Sequence, residues 1–167
     1  MDPRAFESLV RTYSSDLYRF AYWLSRDKHV AQDLVQDAFS AAWKAFDSLR
    51  DVQSAKPWLF SILRNEHARS FQRKRLDIQD DVELEELSVS VPADGQERVE
   101  LENLLQALPE TYREPLMLQV LGGFSGREIA QMLNITEQNV MVRLTRARQA
   151  LRRLAVPEDA AEDVGLA

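Results

Sequence analysis

SGREIAQMLNITEQNVMVRLTRARQALRRL, residues 125–154, decides the fold of its half of the chain. Ser125 and Glu128 stand three apart ahead of Ile129, Ala130 and Leu133, the spacing of a capping box that opens a short helix. The serine hydroxyl can accept from a backbone N–H that the first turn leaves unpaired, while the glutamate reaches back to the cap residue. The tight turn Asn134-Ile135-Thr136 then breaks the pattern. Beyond it Val140, Leu144, Ala147, Leu151 and Leu154 line one side of a second helix, because about 100° per residue keeps all five within about 40° of a common direction. Two helices and a short turn make a helix-turn-helix.

The opposite side of the second helix carries Gln138, Val142, Thr145 and Gln149, flanked by Asn139, Met141, Arg146, Arg152 and Arg153. A recognition helix would insert this side into a major groove, where Gln and Asn can pair with adenine and Arg with guanine or phosphate. A solvated basic face on an ordinary amphipathic helix fits the same residues. Upstream, Val99–Leu108 and Thr111–Leu121 read as two short helices separated by Pro109, with Gly122–Gly123 stopping the second.

Nearer the start, Phe6, Leu9, Val10, Tyr13, Leu17, Phe20, Ala21 and Leu24 recur at helical spacing. Asp27 can cap a second helix whose stripe is Val30, Ala31, Leu34, Val35, Ala38, Phe39, Ala42, Trp43 and Phe46. After a polar turn, Ser48 to Lys56, Pro57 opens a third segment, Pro57–Arg75, with Trp58, Leu59, Ile62, Leu63 and Phe71 as core positions. Glycine is scarce, at 5 of 167 residues, while Leu, Ala, Glu, Gln and Arg dominate. The expected fold is all-α: an N-terminal helical bundle over 1–76 and a C-terminal four-helix domain with the helix-turn-helix over 98–155. A flexible linker, 77–97, joins them, and a tail, 156–167, follows.

The net charge of −6 hides a segregated pattern. Residues 1–76 sum to +4, 77–97 to −8, 98–154 to +2 and 155–167 to −4. Local charge governs attraction to phosphate, so both basic modules are nucleic-acid candidates. With no cysteine, and only His29 and His67, neither disulfide nor thiolate or histidine metal chemistry is expected. No glycine-rich phosphate loop or acid–base constellation points to an enzyme, and no cofactor is implied. The start MDPRAFESLV lacks a basic, apolar leader, and no run approaches the ~20 apolar residues of a membrane span, so a cytoplasmic protein is expected.

A second cationic cluster, Arg64, Arg69, Arg73, Lys74 and Arg75, is interleaved with Trp58, Phe60, Asn65, His67 and Phe71. Cations, aromatic surfaces and an amide are what single-strand binding uses, although Trp58 and Phe71 also sit at core spacing, where packing is the commoner role. Asp33, Gln36 and Asp37 share one helix face that would otherwise be simply solvated.

AQDLVQDAFSAAWKAF, residues 31–46, followed by KPWLFSILRNEHARSFQRKR, 56–75, resembles region 2 of the extracytoplasmic-function (ECF) sigma factors of bacterial RNA polymerase. LLQALPETYREPLMLQVLGGFSGREIAQMLNITEQNVMVRLTRARQALRRL, 104–154, resembles their region 4. Both blocks stand in the family's order, and the resemblance covers almost the whole chain. It implies a subunit that binds core RNA polymerase and directs it to particular promoters under the control of an anti-sigma factor. Asp33, Gln36 and Asp37 match the clamp-docking helix. The Ser48–Lys56 loop matches the element capturing an unstacked base of the minus-ten motif, with Ala45, Leu49 and Asn65 at its pocket and Lys56, Arg64, Arg69 and Arg73 as further minus-ten contacts. Gln138, Asn139, Met141, Val142, Thr145, Arg146 and Arg148 are the minus-thirty-five set. The chain departs from the family where Met141-Val142 replaces a basic and a small polar residue. By resemblance, the acidic linker runs through polymerase near the active site and RNA exit. A sigma-like decoy would not need two basic faces, and a plain helix-turn-helix repressor leaves residues 33–37 and 57–75 without a role.

Overall fold

The computed structural model describes residues 2–77 and 96–155, apart from the side chains at 71, 74–77 and 96–100. The expectations for the acidic connector and the tail, and for the side chains of Phe71, Lys74 and Arg75, lie outside the described residues. The chain divides into two compact units, Met1–Ser90 and Val91–Ala167, and no strand occurs among the described residues.

The first unit is built from α1 (Pro3–Ser25), α2 (Lys28–Lys44) and α3 (Ala55–Asp77). Asp2 caps α1, with Pro3 at a position whose missing N–H costs nothing. The helix ends at Arg26 in the left-handed region (φ 62°), whose guanidinium lies 5.1 Å from the centre of the Trp23 ring. Asp27 caps α2, accepting from the N–H groups of His29 (2.8 Å) and Val30 (3.1 Å) as its sequence position predicts. Leu9, Leu17, Phe20 and Ala21 of α1 meet Ala31, Leu34, Ala38 and Ala42 of α2 and Ala55, Leu59, Phe60 and Leu63 of α3 in one core. Three of the four buried α2 residues are alanines, which lets its backbone approach its neighbours closely.

Three expectations need adjustment. Helix α3 begins at Ala55, two residues before Pro57, because a proline is tolerated anywhere in a first turn whose N–H groups lack helical partners. Phe60, read with the cationic cluster, is fully buried, its ring 5.2 Å from that of Phe20 and tilted by 42°. Trp43, read as part of the α2 stripe, stays 38% exposed and meets Phe6 edge-on at 5.0 Å. Phe6 also packs edge-on to Phe39 and Phe46, so one ring fastens the start of α1 to the end of α2.

The second unit contains α4 (Gln96–Ala107), α5 (Glu110–Val120), α6 (Gly126–Leu133) and α7 (Glu137–Ala155). Pro115 lies inside α5 and is buried, and the Thr111 carbonyl that it cannot serve belongs to an exposed residue. Leu105, Leu108, Leu116, Met117, Leu118, Phe124, Ile129, Val140, Leu144 and Ala147 form the core. Leu151 is half-buried, and Leu154, expected on the same stripe, is exposed near the end of α7. Gly122 is a close-approach position: a Cβ there would collide with the Phe124 ring and come 2.6 Å from the Leu118 carbonyl oxygen.

Candidate nucleic-acid interface

Helix α6, its turn and α7 stand as the capping chemistry dictates. Ser125 Oγ accepts from the Glu128 N–H at 3.2 Å, and the Glu128 carboxylate accepts from the Ser125 N–H at 3.2 Å. Asn134 ends α6 in the left-handed region (φ 54°), a conformation that asparagine tolerates better than most residues. Thr136 then caps the next helix, its hydroxyl accepting from the Asn139 N–H at 3.1 Å. Val140, Leu144 and Ala147 bury one side of α7 against α5 and α6. That burial fixes the rotation of α7 about its own axis.

Gln138, Asn139, Met141, Val142, Thr145, Arg146 and Arg148 are all exposed. Two of them are partly engaged within the unit. The Thr145 hydroxyl donates to the Met141 carbonyl at 2.9 Å, and Arg148 Nη2 donates to Gln119 Oε1 at 2.6 Å. Arg148 thus ties α7 to α5, a link that the sequence pattern does not reveal.

In the first unit Asp33, Gln36 and Asp37 are exposed together on α2, opposite its buried alanines. The segment from α2 to α3 is folded into two 3-10 turns, Phe46–Ser48 and Val52–Ser54. Ser48 Oγ donates to the Ala45 carbonyl at 2.6 Å, and Asp51 accepts from the Gln53 N–H at 3.0 Å. Ala45 and Leu49 are half-buried along this segment. Val52, which sequence reading did not single out, is 76% exposed on the second turn; only the lack of any periodic partner in the sequence hinted at it.

Asn65, Arg69 and Arg73 recur at spacing four on α3 and are all exposed, so they share one face. Arg69 is held 3.3 Å from Glu66, and Arg64 is half-buried on an adjoining side. Lys56 falls about half a turn around α3 from Asn65 and pairs with Asp16 of α1 at 3.8 Å. The structure therefore gathers Asn65, Arg69 and Arg73 and sets Lys56 apart from them. Among the described residues no group of three or more His, Asp or Glu side chains is placed to hold a metal ion, and no helix is long and apolar enough to cross a membrane.

A helix-turn-helix with an exposed amide- and arginine-bearing side is the architecture of a double-stranded DNA reader. Residues 9–76 match the family model Sigma-70 region 2, and residues 98–151 match Sigma-70, region 4. The chain is 36% identical over 154 residues to the ECF RNA polymerase sigma factor SigM of Bacillus subtilis, covering 89% of this chain and 93% of that one. It is 30% identical over 167 residues to SigW of the same organism, covering 91% and 89%. Among solved structures, it resembles the sigma factor RpoE from Bartonella quintana, in complex with the anti-sigma factor NepR, with TM-score 0.77 and 30% identity over 89% of this chain and 95% of that one. It also resembles CnrH, in complex with the cytosolic domain of CnrY, with TM-score 0.68 and 27% identity over 92% and 88%.

The chain belongs to the ECF sigma factors of bacterial RNA polymerase. It is a transcription initiation factor that binds core polymerase and directs it to promoters.

Proposed function

We propose that the two units divide promoter recognition, residues 1–76 serving polymerase and the minus-ten element and residues 98–155 the minus-thirty-five element. Asp33, Gln36 and Asp37 dock on the polymerase clamp. Ala45, Leu49 and Asn65 hold an unstacked base while Lys56, Arg64, Arg69 and Arg73 follow the phosphates, and Gln138, Asn139, Met141, Val142, Thr145, Arg146 and Arg148 face the upstream duplex. The observation that carries this reading is the exposure of Gln138, Val142 and Thr145 on the side of α7 away from buried Val140, Leu144 and Ala147, with exposed Asn139, Met141 and Arg146 flanking them.

Unstacking costs a few kcal/mol per step, so a pocket that is filled only by a flipped base links melting to sequence. Binding to polymerase and single-stranded DNA supplies the energy, and the protein carries out no chemical step of its own. It acts in the cytoplasm, with residues 77–97 threading polymerase as an acidic mimic of nucleic acid. An anti-sigma factor holds it inactive, a reading supported by its likeness to RpoE, which was solved bound to NepR.

Run-off transcription with core polymerase and a pool of promoter fragments tests the division. Wild type is expected to give specific transcripts. Asp37→Arg should lose polymerase binding, and Asn65→Ala should keep polymerase binding but lose transcript. Absence of both transcript and polymerase binding in wild type would overturn the reading in favour of a decoy that only engages an anti-sigma factor.

A further inference from the structure

Helix α7 carries, among amides and arginines, three neighbouring side chains with little hydrogen-bonding capacity to offer. Met141 and Val142 remain 53% and 40% exposed although the buried stripe of α7 is complete without them. Thr145 stands one turn beyond Met141, and its hydroxyl proton is committed to the Met141 carbonyl at 2.9 Å. What Thr145 has left for a ligand is a lone pair and a methyl group. At about 100° per residue the three span an arc of about 100° within the first half of the helix, the end that enters a groove in this motif. The Met141 Sδ lies beside Gly126 at the start of α6, 3.6 Å from where a Cβ on that residue would stand. Scattered exposed apolar residues are ordinary, but a contiguous strip on the outward side of such a helix is informative.

Around the strip Gln138, Arg146 and Gln149 are exposed, with Glu137 one turn before Met141 and Arg152 and Arg153 about two turns beyond Thr145. Protein-docking patches carry a mixed polar rim, whereas duplex DNA supplies a phosphate for each of several arginines placed along one helix. In the major groove thymine alone presents a methyl group, set beside its O4 acceptor, while the edges of the other three bases offer only donors and acceptors, which an apolar strip would leave unpaired. We infer that Met141, Val142 and Thr145 select the upstream promoter element by the C5-methyl groups of thymines at neighbouring positions, on either strand. The inference rests on α7 being the helix that enters the groove.

The test uses the full chain with core polymerase. Run-off transcription selects active templates from promoters randomised in the upstream element. Each thymine of the selected element is then replaced by deoxyuridine, which removes the methyl and keeps the hydrogen-bonding edge. Loss of one buried methyl is expected to weaken holoenzyme binding about three- to fivefold per contacted position. Val142→Ser, which removes both γ-methyls at an exposed position, and Met141→Ala should bind thymine and uracil templates alike at the position each one contacts, while Arg146→Ala should weaken both templates equally. If wild type binds both templates equally at every upstream position while still selecting an upstream element, the methyl inference is overturned and the groove reading survives. If no upstream element is selected and Arg146→Ala changes nothing, the groove reading fails and takes the inference with it. A loss of partner-protein binding in Met141→Ala with no change toward either DNA would likewise overturn it.

Discussion

Phe60→Ala separates packing from surface stacking at an aromatic position of α3. The ring is fully buried and paired with Phe20 at 5.2 Å. Burying such a side chain is worth about 1.5–3 kcal/mol by transfer alone, and the cavity left by alanine raises the usual loss to about 3–5 kcal/mol. Losing the ring pair adds roughly 0.5–1.5 kcal/mol, so the substitution belongs at the upper end, about 4–5 kcal/mol. A small helical unit of this size has about 4–11 kcal/mol in total, so Phe60→Ala should leave it near unfolding, and Phe60→Leu, at about 1–2 kcal/mol, is the measurable companion. All three tryptophans, Trp23, Trp43 and Trp58, lie in the first unit, so urea unfolding followed by tryptophan fluorescence reports that unit alone. The expected result is a large loss for alanine, a small one for leucine, and a circular-dichroism transition of the second unit that does not move. An unchanged fluorescence midpoint together with lost binding to single-stranded DNA would refute the burial and make Phe60 a stacking surface.

Asp27→Ala should lower the stability of the same unit by about 1 kcal/mol, because two N–H groups of α2 lose their acceptor, and Asp27→Asn should retain most of it in the same fluorescence assay. Two adjacent glycines should fail for different reasons, each measured by thermal unfolding of the second unit. Gly122→Ala clashes with the Phe124 ring, costs about 1–3 kcal/mol, and is partly rescued by Phe124→Leu. Gly123→Ala has open space but a φ of +67°, costs about 1–2 kcal/mol, and is not rescued. Arg146→Ala should reduce the slope of log binding constant against log salt for promoter duplex by about one, whereas an unchanged slope would remove Arg146 from the phosphate contacts.

The caps at Asp27 and Ser125 were legible because a cap depends on residues within one turn of it. The sides of the helices were legible for the same local reason, since spacing alone places Asp33 with Asp37 and Gln138 with Thr145. Whether a periodic position is covered depends on what packs over it, so Trp43 and Leu154 read as core and prove exposed, while Phe60, read with the cationic cluster, proves buried. Links between helices were not legible at all. Lys56 to Asp16 and Arg148 to Gln119 join residues far apart in sequence, and each takes part of a cation that the pattern offers to phosphate. Exposed Val52 had no pattern to announce it.

The division of α7 into a buried side and an outward side bears on how such a protein changes over generations. Folding rests on Val140, Leu144 and Ala147, whereas positions 138, 141, 142, 145 and 149 are exposed, where substitutions ordinarily shift stability by less than about 0.5 kcal/mol. A duplicated copy can therefore sample new side chains at those five positions without first losing its fold. Regulons can part company by small steps, each one leaving an intact protein for selection to act upon.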